Sequence, residues 1–387
     1  MVELSQGSSR IYGEAAFEVL AKAQDLERQG RNIIHFEIGE PDMETPETIV
    51  KAGIQAIKDK KTHYTPSIGI LELRRAVQNE IEKTRGYRPD LEQILIVPGL
   101  KPGIFFSMLA VVNPGDEVIF QDPGYPTYGS VTSSLGAKSV LVPLFEENEF
   151  RMNPDDIKSR INNKTKLIIV NSPQNPTGSV IPETELRKIA DICLEHDIYV
   201  ISDEIYEYLI YGEKHFSIAS IPEMLDISIT LNGFSKAYAM TGWRIGYAVG
   251  NPAFIQKMGT MQMYINICAP SMSQRAALAA LNGPQDCVTN MVKEYKRRRS
   301  YLLTRLQKMG IPCVTPGGAF YAFPNISCLG SSDDIWRLLI DEAHVSTTPG
   351  NMFGAQGEGY LRLSYANSLS NIEKALDRIE KVVRRKT

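Results

Sequence analysis

GFSKAYAMTGWRIGY, residues Gly233 to Tyr247, sets Lys236 and Arg244 into a run of small and apolar residues. Charge is easily kept on a surface and expensive in an interior unless an opposite group meets it. Two readings fit the stretch taken alone. Lys236 can open a helix while Arg244 lies along a surface, or an amine can be held in a pocket beside an anion-binding guanidinium. The sequence just before it narrows the choice. Ile227-Ser-Ile-Thr-Leu231 is a short apolar, β-branched run, so the lysine follows the carboxyl end of a strand.

Five more such runs precede it: Gln93-Ile-Leu-Ile-Val97, Glu117-Val-Ile-Phe120, Ser139-Val-Leu-Val142, Leu167-Ile-Ile-Val170 and Tyr199-Val-Ile-Ser202. Segments of helical period lie between most of them, as from Pro182 to His196. Strands that are continuously apolar, rather than alternating, belong to a sheet covered on both faces. The expected fold is therefore α/β, a doubly wound, mostly parallel sheet in a large domain over residues 47–285. The ends read differently. Residues 10–30 form one amphipathic pattern, followed by Asn32-Ile-Ile-His-Phe-Glu-Ile38. Residues 286–310 and 370–385 read as helices, with short strands near Phe320–Phe323 and Gly359–Ser364. Residues 1–46 and 286–387 are expected to build one smaller α+β domain.

Bulk properties exclude several classes of function. The 387 residues carry a net charge of -3, with 43% hydrophobic and 22% charged residues, which gives no reason to expect a nucleic-acid partner. The most basic run, from Lys293 to Arg299, reads as a solvated helix face. Cys193, Cys268, Cys287, Cys313 and Cys328 have neither disulfide-framework nor zinc-ligand spacing, so no metal is expected. Neither a secretory leader nor a membrane span is visible. A cytoplasmic protein is the expectation.

Ligands of an open α/β sheet bind beyond the carboxyl ends of its strands. Gly99, Leu100 and Lys101 follow Val97, in a glycine turn that opens a helix and offers free N–H groups to an anion. Asp122-Pro-Gly-Tyr125-Pro-Thr-Tyr128 follows Phe120, with prolines that can fix Tyr125 as a flat wall. Asn175 follows Val170 within Asn171-Ser-Pro-Gln-Asn175-Pro-Thr-Gly178, and Asp203-Glu-Ile-Tyr206 follows Ser202. Each of these segments has a plain explanation as a turn, a cap or core packing. Together they describe one ligand with a phosphate, a planar ring, a ring atom wanting an anion, a polar oxygen and an electrophilic carbon. Pyridoxal phosphate meets all five demands, and lysine is its usual covalent partner.

At this point the chain resembles a known family. Gly233-Phe-Ser-Lys236-Ala-Tyr-Ala-Met-Thr-Gly-Trp-Arg244-Ile-Gly matches the cofactor-attachment signature of the class I aminotransferases, of fold type I. Asn175-Pro-Thr-Gly178, Asp203-Glu-Ile-Tyr206 and Leu361-Arg362-Leu-Ser occur in family order, and the likeness runs from about Phe36 to the C-terminus. The resemblance implies that the large domain binds pyridoxal phosphate and that Lys236 bonds to it and shuttles the proton. Asp203 would keep its ring nitrogen protonated, Tyr206 and Asn175 would hold its ring oxygen, and Tyr125 would stack on the ring. Its phosphate would lie on Gly99, Leu100, Lys101, Ser235 and Arg244, with Tyr64 of a second subunit reaching across a homodimer. Gly39 and Arg362 would bind the substrate α-carboxylate, near Tyr125 and Asn175.

The implied activity moves an amino group between an L-amino acid and a 2-oxo acid in two half-reactions. The resemblance fits an aspartate-type or broad specificity, with glutamate and 2-oxoglutarate as one pair. Lys101 resembles a residue that attracts an acidic side chain in some relatives. Tyr12, Phe17 and Tyr321 equally describe an aromatic pocket. Aromatic and alanine aminotransferases, and a β-lyase using the same lysine, are the alternatives. A regulator built on this domain would need an added basic DNA-binding segment, and none is seen.

Overall fold

The structure, a computed structural model, describes residues 6–386 apart from Tyr12, Glu14 and Glu213. Near the N-terminus, Ile34–His35 forms the first short strand, β1. A seven-stranded sheet then takes up the middle of the chain: Ile94–Val97 (β2), Glu117–Asp122 (β3), Lys138–Pro143 (β4), Thr165–Asn171 (β5), Tyr199–Asp203 (β6), Ser228–Gly233 (β7) and Gly246–Gly250 (β8). Their order across the sheet is β2-β8-β7-β6-β5-β3-β4. β8 runs antiparallel to both neighbours, and every other pairing is parallel. The α/β class and the mostly parallel sheet thus agree with the sequence. β8 is missing from the sequence expectations, because Gly246-Tyr-Ala-Val-Gly250 is too small and glycine-rich to stand out as a strand.

Alternation along the strands explains why the sheet needs two covers. Leu95, Val97, Val118, Phe120, Leu167, Ile169, Ile201 and Leu231 share one buried cluster with residues of the helices Leu100–Val111 and Pro252–Ile265. Ile94, Ile96 and Val249 pack with the helices Leu71–Arg85 and Ser271–Asn282. Ile119, Ile168, Val170 and Val200 pack with Glu183–Glu195. The edge strand β4 is partly exposed, as an edge allows.

Both chain ends supply a further core. The helices Asp286–Lys308 and Leu369–Lys386 enclose a cluster that includes Phe36, Tyr295, Phe320, Tyr321 and Tyr365. Tyr321–Ala322 (β9), Val345–Ser346 (β10), Thr348–Pro349 (β11) and Leu361–Ser364 (β12) form two small sheets there. β1 pairs parallel with β10, and β12 lies between β11 and β9, antiparallel to both. The N-terminal amphipathic pattern becomes the helix Ala15–Arg28. Among the described residues no helix is long and apolar enough to cross a membrane.

Candidate active site

A cavity of about 380 Å³ opens at the carboxyl ends of β5, β6 and β7. Strand register brings its floor together, since Asn171 pairs with Asp203 and Asp203 with Leu231. Asp203 is almost completely buried. Its Oδ2 accepts from the Tyr128 hydroxyl at 2.8 Å, and its Oδ1 accepts from the Ile205 N–H at 3.3 Å. Burial pushes the carboxyl up to about 6, while those two donors pull the other way. Among the described residues no lysine or arginine forms an ion pair with it. A carboxylate so placed favours a cationic ligand atom.

Lys236 follows β7 by three residues. Small residues make room here for a helix start to approach the sheet. Gly233 lies opposite Gly246 in register, and a Cβ on either would come within 2.8 Å and 2.7 Å of Leu100 Cδ1. Gly99 caps that helix with φ 90°, and a Cβ there would lie 2.2 Å from Arg244 Nη2. Arg244 itself has φ 52°, a conformation that costs a non-glycine residue about 1–2 kcal/mol and tends to persist where function requires it. Its Nη1 donates to the Thr241 carbonyl at 2.8 Å, and Thr241 Oγ1 donates to Glu40.

The Lys236 amine donates to the Gly39 carbonyl. Its proton affinity is lowered to about 8, mainly by burial. Glu40 opposes that shift, whereas Arg362, Arg244 and Lys101 add to it. An amine in this range is partly neutral near pH 8, and so is both nucleophile and base.

Arg362 comes from β12 and is 3% exposed. Nη1 donates to Asn175 Oδ1 at 3.0 Å, and Nη2 donates to the Glu37 carbonyl and to Thr348 Oγ1 at 3.4 Å. The guanidinium lies 4.7 Å from the ring centroids of both Tyr321 and Phe353. Tyr321 and Tyr206 share a hydroxyl–hydroxyl bond of 2.7 Å. A Cβ on Gly39 would lie 2.1 Å from the Tyr321 oxygen, so only glycine fits there.

Eleven expected residues therefore face one cavity: Gly39, Leu100, Lys101, Tyr125, Asn175, Asp203, Tyr206, Ser235, Lys236, Arg244 and Arg362. Gly99 stands behind Arg244, outside the lining. Tyr64 is 80% exposed and does not line this cavity. Phe17 and Tyr321 are on the wall, with Lys101 Nζ 5.5 Å from the Phe17 ring centroid. Tyr12 is outside the described residues. Tyr128, Glu40, Thr241, Thr348 and Phe353 also line the cavity and are absent from the sequence expectations. Tyr128 had a local signal, since it lies three residues beyond Tyr125 on the helix Pro126–Ser134. Thr348 and Phe353 had none. They reach the cavity only through the packing of the chain ends.

Glu204, Glu207 and His215 converge elsewhere, with ligand-type atoms within 4.8 Å of one another. Arg85 Nη2 already donates to Glu204 at 2.8 Å and to Glu207 at 2.6 Å. A buried guanidinium supplies the positive charge there.

The comparisons with known proteins agree on one family. The sequence profile described as aminotransferase class I and II matches residues 31–379. An aspartate aminotransferase of Pyrococcus abyssi is 42% identical over 372 residues, covering 95% of this chain and 96% of its own. The aromatic-amino-acid aminotransferase 2 of Thermococcus litoralis is also 42% identical over 372 residues, with the same coverage. A solved structure, the aspartate aminotransferase of Thermus thermophilus with maleate, superposes with a TM-score of 0.94 at 36% identity, covering 99% of this chain and 100% of that one.

Proposed function

The chain belongs to the class I and II aminotransferase family and is an aminotransferase, and we propose that its cavity binds pyridoxal 5'-phosphate between Lys236 and Asp203. One observation carries this reading: a buried carboxyl lacking a cation and a lysine lowered to about 8 face the same cavity. A pyridinium nitrogen would give Asp203 the cation it lacks, and ionise it. Tyr206 and the Asn175 amide nitrogen would hold the ring oxygen, since the Asn175 oxygen is already engaged by Arg362. Tyr125 would flank the ring. Ser235, Arg244 and the helix start at Gly99, Leu100 and Lys101 would take the phosphate.

When bound, this cofactor supplies an electrophilic carbon for amines and an electron sink for the pair left at a substrate α-carbon. The chain supplies the rest. Lys236 Nζ is the group able to take a proton from that carbon and return it. Arg362, held by Glu37, Thr348 and Asn175, presents a fork to a substrate α-carboxylate, and Gly39 leaves space for it beside Tyr321.

As substrates we take an acidic amino acid and its 2-oxo acid, with glutamate and 2-oxoglutarate as one pair. Lys101 on the cavity wall and the relatives named as aspartate aminotransferases support this. Phe17, Tyr321 and Phe353 favour a second reading, aromatic substrates, as in the relative of that name. The reading extends to a cytoplasmic homodimer in which the exposed Tyr64 enters the second subunit's site. It also keeps residues 47–285 as the cofactor-binding domain and the two chain ends as a smaller one. An absorbance scan of protein reconstituted with pyridoxal phosphate tests the whole. A lysine-bound chromophore that each amino acid converts once, and a 2-oxo acid restores, is the expected result. Its absence, or turnover that survives Lys236→Ala, would overturn the proposal. Continuous release of ammonia without a 2-oxo acid would mark a β-lyase instead.

A further inference from the structure

Tyr321 is held on several sides. Its ring stacks on Arg362 at 4.7 Å and meets the Tyr206 ring edge-on at 5.7 Å, and its hydroxyl sits over Gly39 where no Cβ would fit. That hydroxyl lies 2.7 Å from the Tyr206 hydroxyl, and both residues are buried. Two neutral phenols bring two protons to this pair. One proton lies between the oxygens, and the choice of donor fixes what Tyr206 offers the cavity. A Tyr206 that donates to Tyr321 has only a lone pair left to present. A Tyr206 that accepts from Tyr321 has its proton free.

We propose that Tyr321 is a positioning residue that donates to Tyr206 and so aims the Tyr206 proton at the ring oxygen of the bound cofactor. This rests on the pyridoxal phosphate reading above. The cation over the Tyr321 ring draws electron density from it, which makes its O–H the better donor of the two. The chain Tyr321 to Tyr206 to an anionic oxygen then runs in one direction, and each bond polarises the next.

Holoenzyme absorbance titrated against pH is the test, because the lysine-bound chromophore changes colour when it gains a proton and a donor to its ring oxygen lowers that midpoint. Tyr206→Phe removes a donor to an ionised oxygen and raises the midpoint by about 1–2 pH units. Tyr321→Phe removes only the polarisation, some 10–30% of that bond, and raises it by about 0.1–0.6 units. In the Tyr206→Phe background, Tyr321→Phe produces no further shift.

Tyr321→Phe keeps the ring and its stacking on Arg362, and a thermal unfolding midpoint checks that the fold is intact. Tyr321→3-fluorotyrosine, with a stronger O–H donor, moves the midpoint in the opposite direction and serves should the phenylalanine variant not fold. An unchanged midpoint in Tyr321→Phe, or a shift that persists without the Tyr206 hydroxyl, overturns the inference. Failure of the parent enzyme to form any chromophore overturns the cofactor reading and this inference with it, so the two failures are distinguishable.

Discussion

Arg362 Nη1 donates to the amide oxygen of Asn175 at 3.0 Å, joining a C-terminal strand to a turn 187 residues earlier. The bond helps fix the plane of the guanidinium fork and engages the Asn175 oxygen. Lysine cannot make both contacts. Arg362→Lys is expected to raise KM for the amino acid about 30- to 700-fold, from losing about 2–4 kcal/mol of charge-assisted bonding, while cofactor absorbance stays unchanged. Initial-rate kinetics with an amino-acid panel would measure this, and a normal KM would remove Arg362 from the substrate site.

Arg244 should show the converse. Arg244→Ala is expected to weaken pyridoxal phosphate retention about 10- to 150-fold, the equivalent of about 1.5–3 kcal/mol, in an absorbance titration of the cofactor-free protein. Gly99→Ala should act in the same direction, because its Cβ would displace the Arg244 guanidinium. A larger effect on amino-acid KM than on cofactor affinity would mean that the two arginines have exchanged roles.

Asp203→Asn keeps the shape of the side chain and removes its charge. The rate constant kcat is expected to fall about 100- to 1000-fold, the usual loss when a preorganised partner of a charged centre is removed. The pH dependence has a definite sign. With its carboxyl raised to about 6, the cofactor-free protein loses stability as pH rises from about 4 through 6, and Asp203→Asn abolishes that decline. Thermal unfolding across this range decides the matter.

Lys236 reacts only as the neutral amine, so pyridoxal phosphate should attach faster as pH rises, with a midpoint near 8. Stopped-flow absorbance on the cofactor-free protein reads this rate directly. A midpoint above pH 10 would mean that burial and the neighbouring cations leave the amine unshifted.

Behind the site, His35 Nδ1 bonds Glu37 at 2.7 Å and Nε2 bonds Glu27 at 3.0 Å, and the Glu37 hydrogen bond chiefly raises the imidazole to about 9. Its stabilisation is complete below pH 6.5 and disappears as pH rises through 9. About 1–2 kcal/mol should be lost over that window, after allowance for solvent screening of the half-exposed ring. His35→Gln should flatten the dependence in denaturant melts, and a slope equal to that of the parent would count against the ion cluster.

The cavity floor at the strand ends was legible because it is local. Asp203 ends β6, while Asn175 and Lys236 lie four and three residues beyond β5 and β7, and segments at a sheet's carboxyl edge converge by geometry alone. β8 was not legible, since a glycine-rich strand has no apolar run to read. Tyr128 stood in a quoted stretch without a role: its spacing from Tyr125 is a local signal, but its partner Asp203 is 75 residues away and no local pattern names it.

By itself, then, the sequence determined the covered parallel sheet and the placing of Lys236 and Asp203 at strand ends that face one cavity, because strand hydrophobicity and the residues that follow each strand are short-range properties of the chain. Tertiary structure alone decided the other wall. Phe353, Thr348 and the Glu37 carbonyl meet Arg362 only when β1, β11 and β12 pack together, and Tyr321 meets Tyr206 across 115 residues. Contacts between segments so far apart depend on how the chain ends fold over the sheet, and nothing within either segment records its partner.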